Sequence, residues 1–110
     1  MTSPDTFFRA LADGTRRQCL LMLLDQDRLC VCELVHALDL SQPRVSRHLT
    51  QLRDLGIVAD ERHSRWIHYR LHPDLPDWAL AVLKAASGGE DLEPLAGRLK
   101  CMPNRPEFAV

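Results

Sequence analysis

The sequence predicts a mainly α-helical domain with one small β-hairpin, arranged as a helix-turn-helix followed by a wing. Three observations carry this. Val45, Leu49, Leu52 and Leu55 recur at offsets 0, 4, 7 and 10, one stripe of a 3.6-residue period. Just before them Val31, Leu34, Val35 and Leu38 repeat at 0, 3, 4 and 7, and the short Asp39-Leu40 break lets the two helices cross. After Gly56, Ile57-Val58 and Trp66-Ile67-His68-Tyr69-Arg70-Leu71 flank a polar tip, with Ile67, Tyr69 and Leu71 alternating inward.

Taken in chain order, Phe7, Phe8 and Leu11 mark a short apolar first helix. Asp13-Gly14-Thr15 offers capping oxygens to a second helix crowded with Leu20, Leu21, Leu23 and Leu24, in which Cys19 reads as a small core residue. The third helix begins near Cys30 and Cys32. The fourth starts near Gln42, where Ser41 suits an N-cap and Pro43 is tolerated because the first turn leaves N–H groups unbonded. Opposite its apolar stripe lie Gln42, Arg44, Ser46, Arg47, Thr50 and Gln51, side chains able to bond phosphates or base edges. The plainer alternative is a pair of ordinary packed helices with solvated arginines. At the wing tip, Arg62, His63 and Arg65 are placed to touch phosphate or a minor groove, or simply to be solvated.

Pro73 and Pro76 bracket a turn, and Trp78, Leu80, Ala81, Val82, Leu83 and Ala85 form a helix apolar on more than one side. Such a helix needs two partners, its own core and a second subunit, which predicts a homodimer. Gly88-Gly89 end it. The chain is thus divided into a DNA-binding and dimerisation domain over 1–87 and a C-terminal tail over 88–110. Leu92, Leu95 and Leu99 mark a short helix in the tail, before Cys101 and a mobile end.

At 110 residues and 45% apolar content the chain has one modest core. Its net charge of −1 argues against a nucleic-acid partner until the charges are placed. Residues 42–70 carry 6 basic and 3 acidic side chains, whereas the flanking segments each carry 4 and 6. The positive charge therefore sits on the reader and wing, where phosphate attraction needs it. The N-terminus lacks a basic stretch followed by an apolar one, and the longest apolar run, Cys19 to Leu24, is too short for a membrane. A cytoplasmic protein follows, and there four cysteines are better read as thiols than as disulfides. No glycine-rich phosphate loop, Ser/His/Asp arrangement or paired carboxylate cleft suggests an enzyme or an organic cofactor.

With these segments in place, the chain resembles the ArsR/SmtB family of metal- and metalloid-sensing winged-helix repressors. LADGTRRQCLLMLL is similar to the family's second helix, LCVCELVHAL to its thiol-bearing third, LSQPRVSRHLTQLRDLGIV to its recognition helix and RHSRWIHYRLHPDLP to its wing. The likeness runs from about Phe8 to Leu83, and Arg17 departs from it where relatives often have an apolar residue. The LCVCEL segment is particular to the arsenic-responsive branch. The resemblance implies a homodimer joined through its first and last domain helices, which binds operator DNA when metal-free and leaves it on binding trivalent arsenic or antimony.

Cys30 and Cys32 are the candidate ligands. Residues i and i+2 point to different sides of a regular helix but share one side of an extended segment, so a chelating pair requires a frayed or unwound turn. A helix N-terminus and nearby Arg28 both favour thiolate, the ligand form, and soft thiolates suit As(III). Some arsenic-responsive relatives place a third cysteine five residues after the first, where this chain has Val35. A third sulfur has to come from Cys101, from Cys19 or from outside the protein, and Cys101 on its mobile tail is the preferred one. His36, four residues beyond Cys32, allows a Cys-Cys-His zinc or cadmium site. The family's other zinc site, on the dimer helix, is absent because 77–87 contains no histidine. The alternative function is a repressor sensing thiol oxidation or persulfide, or zinc or cadmium. Closing the thiols on one ion is expected to unwind or tilt the start of the third helix and, through the Asp39-Leu40-Ser41 turn, to move Arg44 and Arg47.

Overall fold

Gly14–Gln26 forms the central helix, and around it the rest of the chain packs. The computed structural model describes residues 2–106. In order these form α1 (Pro4–Leu11), α2 (Gly14–Gln26), β1 (Arg28–Cys30), α3 (Val31–Leu38), α4 (Gln42–Asp54), β2 (Val58–His63), β3 (Trp66–Leu71), α5 (Asp77–Ser87) and α6 (Glu93–Lys100). Ser3 and Asp13 cap the first two helices, their side-chain oxygens accepting from the backbone N–H of Thr6 at 3.2 Å and of Arg16 at 3.0 Å. In α2 the run Cys19 to Leu23 is buried on every side. Arg17, the departure noted in the sequence, donates to the Leu11 carbonyl at 2.7 Å and pairs with Glu90, tying α2 to the α5–α6 connection.

The α3–α4 junction is the expected crossing. Asp39 closes α3 in the left-handed region at φ 56°, and Ser41, in extended conformation, precedes α4, which starts at Gln42. Val45, Leu49 and Leu52 are buried as their spacing predicted, and Leu34 and Leu38 likewise. Leu55 is not: it caps the end of α4 and is 43% exposed. Gly56 then turns the chain at φ 77°, a conformation that any Cβ would strain, and returns Ile57 to the core.

The sheet is three-stranded and antiparallel, in the order β1-β3-β2. β1 is an addition to the hairpin foreseen from the sequence. It pairs Leu29 with Tyr69 and Cys30 with His68, so the wing is rooted beside the thiols. β2 runs on to His63, opposite Trp66. Arg62 and His63 therefore belong to the strand rather than to its tip, and Arg65 lies in the turn with Ser64. The expected inward alternation holds for Tyr69 but fails at Ile67, which is 42% exposed on the rim of the fold. His68 is buried instead.

α5 buries Ala79 and Leu83, with Leu80, Val82 and Ala86 half-covered against the same cluster. α6 lies against α3: Leu95 and Leu99 join the common core, and Arg98 donates to the Ala37 carbonyl at 2.8 Å. The tail expected over 88–110 thus contributes a packed helix, while 107–110 fall outside the described residues. Among the described residues no helix is long and apolar enough to cross a membrane.

Candidate nucleic-acid interface and thiol site

α4 turns its apolar stripe inward and so leaves a polar face outward. Gln42, Arg44, Arg47 and Gln51 are exposed there, with Ser46 and Thr50 half-covered. Gln42 donates to the Ser46 hydroxyl at 3.3 Å. Thr50 lies against the Tyr69 phenol, which burial pushes above its ordinary pKa while the Thr50 hydrogen bond opposes that shift, so α4 and β3 meet at this point. The charge count sharpens once partners are known. Arg53 pairs with Asp60 at 3.1 Å and Asp54 at 3.5 Å, and Arg70 pairs with Glu61 at 3.0 Å. All three acidic residues of 42–70 are thereby engaged. No ion pair among the described residues involves Arg44, Arg47, Arg62 or Arg65, and these four remain to attract an anion. The Arg65 guanidinium sits 5.5 Å from the Trp66 ring centroid.

The thiol pair straddles the β1–α3 junction. Cys30 is the last residue of β1 and the N-cap of α3, in extended conformation at φ −80° and ψ 164°, while Cys32 lies in the first helical turn. Their Cα atoms are 5.4 Å apart and the two sulfurs are joined as a disulfide. Cys30, extended and outside the helix, agrees with the expectation that such a pair sits off a regular helical turn, whereas the disulfide joins two residues that the sequence alone read as thiols. Cys30 is buried and Cys32 partly so.

Glu33 completes the junction, and the sequence reading missed it. Its carboxylate is 1% exposed and accepts from the Cys30 backbone N–H at 2.9 Å. That is the carboxylate arm of a capping box, and the Cys-x-x-Glu spacing was its visible signal. The other oxygen pairs with Arg105, which also donates to Gln26 at 3.4 Å, so the segment after α6 is anchored over the entry to α3.

The remaining candidate ligands divide clearly. Cys19 is fully buried, and burial pushes its thiol up to about 12, as suits a packing residue. Cys101 is exposed at the end of α6. His36 shares a cleft with Cys30 and Cys32, as the helical spacing foresaw. Yet among the described residues no three His, Cys, Asp or Glu side chains converge to hold a metal ion. The preferred three-thiol set of Cys30, Cys32 and Cys101 is therefore not assembled, since Met102 rather than Cys101 reaches the cleft.

That cleft, of about 540 Å³, connects the two sites. It is lined by Cys30, Val31, Cys32 and Val35, by Gln42 at the start of α4, and by Arg65, Trp66 and Ile67 of the β2–β3 hairpin. Trp66, Ile67 and Met102 had no sequence signal for this role, because their approach to α3 depends on how β3 and α6 pack.

Residues 13–60 match the family model described as bacterial regulatory protein, arsR family. The chain is 48% identical over 110 residues to the arsenic resistance transcriptional regulator ArsR1 of Pseudomonas putida, covering 98% of this chain and 86% of that one. It is 46% identical over 83 residues to the arsenical resistance operon repressor of Escherichia coli, covering 76% and 71%. Among solved structures, the antimony-specific transcriptional repressor AntR superposes with a TM-score of 0.66 at 30% identity, covering 74% of this chain and 71% of that one.

Proposed function

The chain belongs to the arsR family of bacterial regulatory proteins, a family of transcriptional regulators and not of enzymes, and from that premise we propose that it is a metalloid-responsive repressor. It binds operator DNA as a homodimer when metal-free and leaves it when trivalent arsenic, or antimony, bonds Cys30 and Cys32. One observation carries the reading: the two sulfurs meet at the N-cap of α3, on a cleft that Gln42 and Arg65 also line. Cys30 and Cys32 would hold As(III), which would supply a soft centre that prefers sulfur ligands.

The chain's own residues do the rest. Gln42, Arg44, Ser46, Arg47, Thr50 and Gln51 face DNA from α4, and Arg62, His63 and Arg65 from the wing. Residues 39–41 alone separate α3 from the reading helix, so a displacement at Cys30 and Cys32 passes into α4 through a helix anchored in the core by Leu34, Ala37 and Leu38. The cleft offers a shorter route, because a ligand on the thiols lies beside Gln42 and Arg65 themselves. Release requires only a different affinity for DNA in the two states, and a coupling of roughly 1–3 kcal/mol is typical. Phe8 and Trp78, exposed on α1 and α5, supply the apolar face for the second subunit. The protein acts in the cytoplasm, where DNA and reduced thiols are available.

The test is arsenite titration of the reduced protein on fluorescently labelled DNA from upstream of its own gene. Wild-type protein is expected to leave the DNA. A Cys30→Ser, Cys32→Ser double variant that left at the same arsenite concentration would overturn the assignment. The joined sulfurs favour a second reading, in which two-electron oxidation of the pair itself triggers release. Oxidant without metalloid then dissociates the complex, and a reductant restores it.

A further inference from the structure

Resting on that reading, we propose that the third ligand of arsenic at this site is a small soluble monothiol bearing a carboxylate, seated in the α3–wing cleft with its carboxylate on Arg65. The pair supplies two sulfurs, and trivalent arsenic makes three bonds. Among the described residues no group of three His, Cys, Asp or Glu side chains could hold a metal ion, and His36, which lines the same cleft, offers nitrogen where trivalent arsenic prefers sulfur. Cys19 is sealed in the core, and Cys101 is not among the residues lining the cleft. The third bond therefore points to a group from solution.

The cleft says which kind of group. At about 540 Å³ it is the size of a small-molecule site rather than of a single hydroxide on arsenic. Val35 and Ile67 give it an apolar interior for a carbon chain, and its one guanidinium belongs to Arg65. Arg65 rests against Trp66, 5.5 Å from the ring centroid, and no ion pair among the described residues neutralises it. A guanidinium held on an aromatic face and free of carboxylate partners suits an incoming carboxylate, which it binds through charge-assisted hydrogen bonds.

The chemistry balances without a redox step. Starting from the reduced pair, As(OH)₃ exchanges three hydroxides for the sulfurs of Cys30, Cys32 and the monothiol, and three thiol protons leave with the hydroxides as three waters. Arsenic stays trivalent throughout. Where the pair begins as a disulfide, two further molecules of monothiol reduce it and depart joined to each other. The bound carboxylate then occupies a wing arginine assigned to DNA, which couples ligand to release.

The experiment uses the full reduced chain without DNA, given arsenite with either 3-mercaptopropionate or the neutral 2-mercaptoethanol at matched concentration. Native mass spectrometry reads what is bound, and the near-ultraviolet sulfur–arsenic absorption reads affinity. A mass of chain plus arsenic plus one mercaptopropionate is expected, with affinity at least several-fold above that in mercaptoethanol. In Arg65→Gln that advantage should vanish while binding in mercaptoethanol is unchanged. The same ternary mass is expected in Cys101→Ser. Arsenic bound with no thiol mass, or lost in Cys101→Ser despite the monothiol, would overturn the inference and leave the repressor reading standing. An equal affinity for both thiols would overturn the role of Arg65. Failure of arsenite to bind in either thiol would remove the repressor reading as well.

Discussion

The backbone N–H of Cys30 donates to a carboxylate oxygen of Glu33 at 2.9 Å, so the first thiol and the acid three residues on hold one helix start between them. Glu33 is buried, and its other oxygen is met by Arg105. Glu33→Ala strips an N–H and a guanidinium of their partner and is expected to cost about 1–3 kcal/mol of stability. Glu33→Gln keeps an acceptor for Cys30 and should cost less. Denaturant midpoints of Glu33→Ala, Arg105→Ala and the double variant check this. The two single losses should not add, because both remove the same pair.

Serine is a good N-cap and nearly the size of cysteine, so Cys30→Ser should preserve the start of α3. Cys30→Ser and Cys32→Ser are each expected to fold and bind operator normally yet fail to release it with arsenite. Cys19→Ser should release normally but be less stable by about 1–3 kcal/mol, since its hydroxyl enters an apolar core. Fluorescence anisotropy on operator DNA separates the two outcomes. A Cys32→Ser protein that responded at the wild-type arsenite concentration would contradict the pair's role.

The ion pairs divide the arginines of the reader. Among the described residues Arg44 and Arg47 have no such partner, whereas Arg53 is held by Asp60 at 3.1 Å. Arg44→Ala or Arg47→Ala should weaken operator binding and lower the salt slope by about 1 each if they meet phosphate, or relax sequence preference if they meet bases. Arg53→Ala should leave that slope nearly unchanged. Binding isotherms at four salt concentrations decide.

Much of this was legible because helical burial repeats. Val45, Leu49 and Leu52 announced α4, and Leu34 and Leu38 announced α3, from spacing alone. Leu55 broke the pattern at the point where the helix ends and no neighbouring layer covers it. The thiols were visible, but their approach was not. A three-residue strand ending in the helix cap carries no periodic signal, so the sequence placed the pair at an irregular helix start without showing that β1 supplies it. Ile67 and His68 were misjudged for a related reason: burial along a hairpin depends on which elements reach it, and Cys30 faces His68 across a strand pairing that spans distant parts of the chain.

Asp13 gives a pH-dependent prediction. The Arg16 N–H that it caps holds its carboxyl below the ordinary range, with smaller help from His48 and Arg16 charges against the opposing effect of burial. A depressed folded pKa means stability that is present above the unfolded value and lost as pH falls through the folded one. Asp13→Asn, which retains a capping oxygen, should therefore be less stable than wild type at pH 7, and the difference should close below the ordinary value of 3.8. Thermal melts from pH 7 to pH 3 measure the convergence. A gap independent of pH would show that charge at Asp13 contributes nothing.

Phe8 is 53% exposed on α1, beside Trp78 on α5, with ring centroids 6.4 Å apart. Phe7, fully buried, meets the same Trp78 edge-on at 5.4 Å. One aromatic of each helix is thus turned out beside a packed neighbour, an arrangement that costs exposed apolar area unless something covers it. If a second subunit does, Phe8→Ser should barely change the stability of the isolated fold, because little buried contact is lost, but should shift the dimer toward monomer. Phe7→Ser should instead destabilise the fold itself, as truncation of a buried aromatic typically costs about 3–5 kcal/mol. Sedimentation velocity and chemical denaturation of both variants separate the effects. A dimeric Phe8→Ser protein with undiminished operator affinity would move the subunit interface away from α1 and α5. A monomeric one should lose operator affinity steeply, because a two-fold site rewards two reading helices held about 34–36 Å apart and a single helix meets only half of it.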